Sequence, residues 1–215
     1  MRKFFVVPAA ALVLLVVAGP GLRAQEDKLC FDETQAAEAR ILSCTRLLLQ
    51  KGADPVERAR IHSNRGVAFG QNGETKRAID DFNQALAANP KDPAILNNRC
   101  YFLAVDGQFR KALADCDAAL QQQQATASML DSRGYAHLRG GNLDKALKDY
   151  DAALGQDPTY PSALWGRGII LQRKGRAAEA ERDFAVAQRV NPQIEREMAG
   201  VGLKRAQRAS VSRRN

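Results

Sequence analysis

Histidine is almost missing from this chain, with two in 215 residues, His62 and His137. Neither sits in a catalytic pattern, and both read as packing or groove residues rather than bases. No glycine-rich phosphate loop, zinc-ligand spacing or nucleophile elbow occurs. The four cysteines have no histidine close by in sequence, which argues against a metal site. Cys100 and Cys116 also lack a neighbouring base that would favour a thiolate. Nothing here supplies the residues of an enzyme or asks for a cofactor.

Long apolar runs are scarce too. The stretch from Phe4 to Ala18 is about fifteen residues and contains Pro8, short of the roughly twenty a membrane span needs. It follows Met1-Arg2-Lys3, is broken by Gly19-Pro20-Gly21, and reaches a small residue at Leu22-Arg23-Ala24. That order is a secretory signal peptide over residues 1–24, with cleavage expected after Ala24. No cysteine follows at lipoprotein spacing. The mature chain is therefore expected to be periplasmic or secreted, without a stable membrane span.

Excess charge of one sign is missing from the body of the chain, although the formal net charge is +8. Removing Arg2, Lys3 and Arg23 with the leader lowers that to +5, and residues 195–215 carry +4 of the remainder. Residues 25–194 hold 23 basic and 22 acidic side chains. A nucleic-acid binder needs a basic stripe on a folded face, and none is legible. The basic end reads as a solvated tail.

What is present is a period. Gly66, Cys100, Gly134 and Gly168 stand 34 residues apart. Ala78, Ala112, Ala146 and Ala180 keep the same interval, as do Ala85, Ala119, Ala153 and Ala187. Phe82, Cys116, Tyr150 and Phe184 form a fourth register, and Pro90, Pro158 and Pro192 close three of the copies. Turn signals fall at Asn72-Gly73, Asp106-Gly107, Gly140-Gly141-Asn142 and Lys174-Gly175. Glycine inside a helix costs roughly 1 kcal/mol against alanine, so its recurrence argues for close packing.

The pattern resembles the tetratricopeptide repeat, a helix–turn–helix unit of this length. The resemblance covers four units, 59–92, 93–126, 127–160 and 161–194. It implies an all-α, right-handed α-solenoid of about four repeats. Residues 25–58 are expected to form a degenerate unit at the amino-terminal end, with Arg40 to Leu47 aligned on Ala78 to Ala85 at an offset of 38. Residues 195–215 are expected to give a capping helix and a basic tail, since terminal units need a polar outer face.

Two features sit inside the frame. Each unit carries an arginine before its small residue (Arg65, Arg99, Arg133, Arg167) and an aspartate sixteen residues later (Asp81, Asp115, Asp149, Asp183). Such a ladder of pairs reads as a register device, worth about 0–1 kcal/mol per pair if exposed. In the second unit Cys100 and Cys116 replace the glycine and the aromatic together, at positions that face each other across a hairpin. Cys44 takes the aromatic position of the degenerate unit. The expected bridges are Cys30–Cys44 and Cys100–Cys116, the alternative being four buried thiols.

By the same resemblance, the first helices of successive units line a concave groove. Arg60, Ser63, Asn97, Asn98, Tyr101, Asp131, Tyr135, Arg139, Trp165 and Arg173 are expected to face it, with Tyr101, Tyr135 and Trp165 as a line of rings. Aromatics and arginine are the usual anchors of interfaces. The Lys and Asn set by which some relatives clamp a chaperone's terminal carboxylate is absent, apart from Asn98. The expected function is a non-enzymatic scaffold that binds a protein or peptide in this groove. An assembly subunit using the convex face or the ends is the alternative. Stacking of sugars on the rings has less support, and the oligomeric state is not legible.

Overall fold

The computed structural model describes residues 20–50 and 52–206, and among these residues there are eleven helices and no strand. They run α1 (Pro20–Phe31), α2 (Ala37–Leu49), α3 (Pro55–Gln71), α4 (Thr75–Ala88), α5 (Pro93–Val105), α6 (Phe109–Gln122), α7 (Ala127–Arg139), α8 (Leu143–Gln156), α9 (Pro161–Arg173), α10 (Ala177–Val190) and α11 (Ile194–Gly200). Each odd-numbered helix from α1 to α9 packs on its even successor. The first helices α3, α5, α7 and α9 also touch one another in order. That is an all-α solenoid. The apolar run at 4–18 and the tail at 207–215 lie outside the described residues. The expected cleavage point after Ala24 falls within α1. No helix among the described residues is long and apolar enough to cross a membrane.

The periodic glycines are explained by the rings opposite them. A Cβ added at Gly134 would lie 3.0 Å from Tyr150 Cε1, and one at Gly168 would lie 2.6 Å from Phe184 Cε1. Gly66 meets Phe82 in the same way at 3.0 Å. Those rings are buried at the centre of their hairpins. In the second unit a disulfide takes the place of the glycine–ring contact. Cys100 and Cys116 are bonded with Cα atoms 5.4 Å apart, and Cys30 and Cys44 with Cα atoms 4.9 Å apart. Each bridge closes a loop of 14 or 16 residues, for which chain entropy gives roughly 3 kcal/mol. Reduction is therefore expected to add a pair of hydrogens per bridge to the intact mass and to lower the melting temperature. An intact mass unchanged by reductant would contradict both bonds.

The arginine ladder is real but is not an exposed one. Arg133 Nε and Nη2 donate to the two carboxylate oxygens of Asp149 at 2.9 and 2.7 Å, and the other three pairs repeat this fork. The aspartates are 4–8% exposed. The third nitrogen, Nη1, reaches back to the preceding unit: Arg167 to Asp151, Arg133 to Asp117, Arg99 to Asn83. Arg65 Nη1 donates to Thr45, which stands 38 residues before Asn83 and plays its part on α2. Every arginine thus ties its own hairpin to the one before. Burial pushes the Asp81 carboxyl up, but hydrogen bonds from Arg65 and His62 outweigh it and hold the group below its usual range.

The ends depart from the expected boundaries. The division at 58/59 falls inside α3, which begins four residues earlier because Asp54 Oδ1 accepts from Glu57 N at 2.8 Å and Pro55 fits the first turn. At the other end the helix is only Ile194–Gly200, not a long capping helix. Gly202 at φ +86° ends it, with Leu203 N donating back to Met198 O at 2.8 Å in a Schellman closure. Beyond Gly202 the chain runs without helix to residue 206.

Candidate functional site

The inner row of first helices does not form one open trough. Near its middle, α5, α7 and the start of α9 meet α11 around a cavity of about 490 Å³. From α5 come Asn97, Asn98 and Tyr101, and from α7 come Ser128, Asp131 and Ser132. Tyr160 and Ser162 enter from the α8–α9 connection and the first turn of α9, and Glu197 from α11. Four of the ten groove residues read from the sequence (Asn97, Asn98, Tyr101, Asp131) therefore share one wall.

The polar contacts follow the repeat. Asn97 Nδ2 donates to Ser128 Oγ at 3.4 Å, and Ser162 Oγ donates to Asp131 Oδ2 at 2.8 Å. Both pairs are 31 residues apart, and the second is the first displaced by one unit of 34. Asn97 is 9% exposed, and its Oδ1 has no hydrogen-bond partner among the described residues. Among the described residues lining the cavity there is no lysine, arginine or histidine. Burial lifts the Asp131 carboxyl to about 7, with the Ser162 hydroxyl pulling only weakly the other way. Tyr101 beside it is also raised, chiefly by burial and then by the Tyr135 and Asp131 charges.

That shift has a sign. A carboxyl whose folded-state value lies above its free value of 3.8 favours the fold while protonated, and the favour is lost as pH rises toward about 7. Stability is expected to decline across pH 4–7 by on the order of 2 kcal/mol, allowing for the surface Asp131 keeps open to the cavity. Asp131→Asn should remove most of that slope. Melting curves over this range check it, and an equally steep slope in the variant would overturn it.

Three other expected groove residues are covered by the chain itself, which corrects the reading of an open line of rings. Trp165 is fully buried, its ring 4.7 Å from that of Phe184 and its Nε1 donating to Leu203 O at 3.0 Å. Tyr135 is 3% exposed and its hydroxyl donates to Val201 O at 2.6 Å, a carbonyl that Arg139 also reaches. Gln172 fastens Ala206 by a reciprocal pair of hydrogen bonds at 3.0 Å. The segment 201–206 thus lies along α7 and α9, because Trp165 and Leu203 would otherwise leave apolar surface in water. Of the three rings only Tyr101 keeps an open face; it touches Tyr135 at 5.2 Å between centroids.

The remaining expected residues lie outside the cavity. Arg60 is exposed, with its guanidinium 4.1 Å from the centre of the Phe31 ring. Ser63 is half-buried and Arg173 exposed. The residues the sequence reading missed are Tyr160, Ser162, Asn191 and Glu197. The 31-residue offset between facing positions was legible for Ser162. Asn191 and Glu197 were not, since they follow the last first-helix and α11 has no counterpart in the period.

The tetratricopeptide repeat family matches this chain in two places, residues 59–92 and 132–193. No curated protein matches it. Among solved structures, MamA from Desulfovibrio magneticus is similar over 80% of this chain and 95% of its own, at 18% identity and a TM-score of 0.63. A tetratricopeptide repeat protein from Parabacteroides merdae covers 83% of this chain and 70% of its own, at 22% identity and 0.59. The first repeat domain of Spaghetti (RPAP3), bound to an HSP90 peptide, covers 59% of this chain and 99% of its own, at 24% and 0.51. These likenesses are of fold.

Proposed function

Because this chain is a tetratricopeptide-repeat protein, with a fold that generally serves protein–protein interaction, we propose that it is an exported scaffold which binds a peptide or protein segment on its inner row of helices. The observation that carries the reading is the polar cavity on that row, where side chains from two successive units converge beside the open face of Tyr101. Buried polar groups left without partners are costly, and a ligand offering donors relieves that cost. Export is supported by the leader-like start of the sequence and by two disulfides, which persist in oxidising compartments. Catalysis finds no support, since neither histidine lines the cavity and no cluster of metal-ligating groups occurs among the described residues.

The test is positional. A photo-crosslinking residue placed at Tyr101 in the oxidised full chain, expressed in its native host, is expected to capture a partner. The same residue at the exposed outer positions Asp80 and Lys148 is expected not to. Equal capture from the outer positions would favour the assembly-subunit alternative and overturn the inner-row reading.

A further inference from the structure

The cavity's chemistry is one-sided. Its ionisable wall groups other than tyrosine are Asp131 and Glu197, and no cationic side chain lines it among the described residues. Glu197 is held at the rim by Asn191 Nδ2 at 2.9 Å. Asp131 receives one neutral hydroxyl, that of Ser162, which leaves most of its acceptor capacity unused. The second observation is independent of charge. Asn97, nine-tenths buried in the same wall, has a carbonyl oxygen with no donor. Acceptors therefore outnumber donors at a site that is partly dehydrated. The first turn of α9 at Ser162 offers the positive end of a helix, but the Asp131 carboxylate already stands there, so an incoming anion would face two carboxylates.

A lysine ammonium carries three donors and no acceptor, and an arginine guanidinium five, so either supplies what this wall lacks. The rest of the cavity suits the stem of such a side chain. Ile194, Met198 and the rings of Tyr101 and Tyr160 give apolar surface beside the carboxylates, as methylene groups with a charged head require. A volume of about 490 Å³ leaves room for one such side chain and some water.

Resting on the scaffold reading above, we propose that this cavity is the recognition site for a basic side chain, lysine or arginine, of the bound segment, with Asp131 as its ion partner and Asn97 Oδ1 and Glu197 as further acceptors. The first helices of two successive units would then read one residue of the partner. Specificity would come from a charge that neither unit holds alone in suitable geometry.

The probes are Nα-acetyl-lysine amide and Nα-acetyl-arginine amide, titrated at pH 8 into the isotopically labelled, oxidised full chain and followed by amide shifts. The neutral isostere Nα-acetyl-norleucine amide and the acidic Nα-acetyl-glutamate amide are the controls. Saturable shifts at Asn97, Asn98 and Ser132 are expected from the basic probes only. Asp131→Asn should weaken the stronger of the two at least tenfold, and Glu197→Gln a few-fold; α11 position 197 is exposed, so that variant leaves the core untouched. Equal shifts from norleucine amide, preference for glutamate amide, no saturation, or an unchanged Asp131→Asn titration would each overturn the proposal. The two readings separate cleanly. Partner capture at Tyr101 that survives Asp131→Asn removes the basic-residue site and leaves the scaffold. Basic probes that bind while no partner is captured remove the scaffold and leave the site.

Discussion

Arg133→Ala is expected to destabilise the protein by about 3–5 kcal/mol, the usual cost of stripping one partner from a buried ion pair. Asp149 would stay 4% exposed in a hairpin core with both of its fork hydrogen bonds gone. The same change cuts the tie to Asp117 on the preceding unit. Asp117→Ala provides the contrast. Its side chain is 56% exposed, so losing only that tie should cost no more than about 1 kcal/mol. A double variant, Arg133→Met with Asp149→Leu, should recover most of the loss, because a buried pair replaced by apolar groups of similar volume is often neutral. Arg65→Ala should cost less than Arg133→Ala, since His62 Nδ1 remains 2.8 Å from the Asp81 carboxylate. Chemical denaturation of the four variants checks the order. A loss below 1 kcal/mol for Arg133→Ala would mean that the ladder only marks register.

Trp165→Ala is the second large effect, expected at about 3–5 kcal/mol from the cavity left by a buried indole. Its consequence is local. The Nε1 hydrogen bond to Leu203 O and the cover over Phe184 are lost together, so residues 194–206 should lose amide protection well before α3 to α8 do. Hydrogen exchange checks this, and protection of 194–206 that matches the parent protein would refute it. Arg173→Ala, at an exposed position one helix-end away, should change stability by less than about 0.5 kcal/mol. A drop in partner binding by Trp165→Ala would therefore report a loosened end rather than a lost ring contact. Tyr101→Ala is the variant that reads the surface.

The fold was legible in the sequence because a stacked array repeats its requirements. Gly134 and Tyr150, or Gly168 and Phe184, must approach in every hairpin, and the same pair of residue types recurs at the same spacing. The exception at Cys100 and Cys116 was legible for the same reason, since two facing positions changed at once. The arginine ladder was readable as pairing but not as burial. Whether Asp149 is wet or dry depends on the turn of α7 against α8 and on the unit before, which no single register records.

The site was legible only in part. Asn97, Asn98, Tyr101 and Asp131 could be placed on the inner row because a helix face follows from its period. Tyr135, Arg139 and Trp165 were placed on the same row by the same rule, yet the chain's own segment 201–206 covers them. That segment is aperiodic, and its course is set by Gly202 and by the apolar surface left exposed at the last unit.

The amino-acid order alone determined a row of paired helices, which cysteines pair, and that the chain carries no catalytic machinery it could use. Those properties depend on contacts within a unit or between neighbours at fixed offset, so they print themselves on the sequence as a period. Only the tertiary structure decided which stretch of the inner row stays open, that its carboxylates lack a cation, and that the end of the chain closes the rest. These depend on where an unrepeated segment comes to lie, and its position is fixed by the burial of Leu203 and Met198 rather than by any spacing.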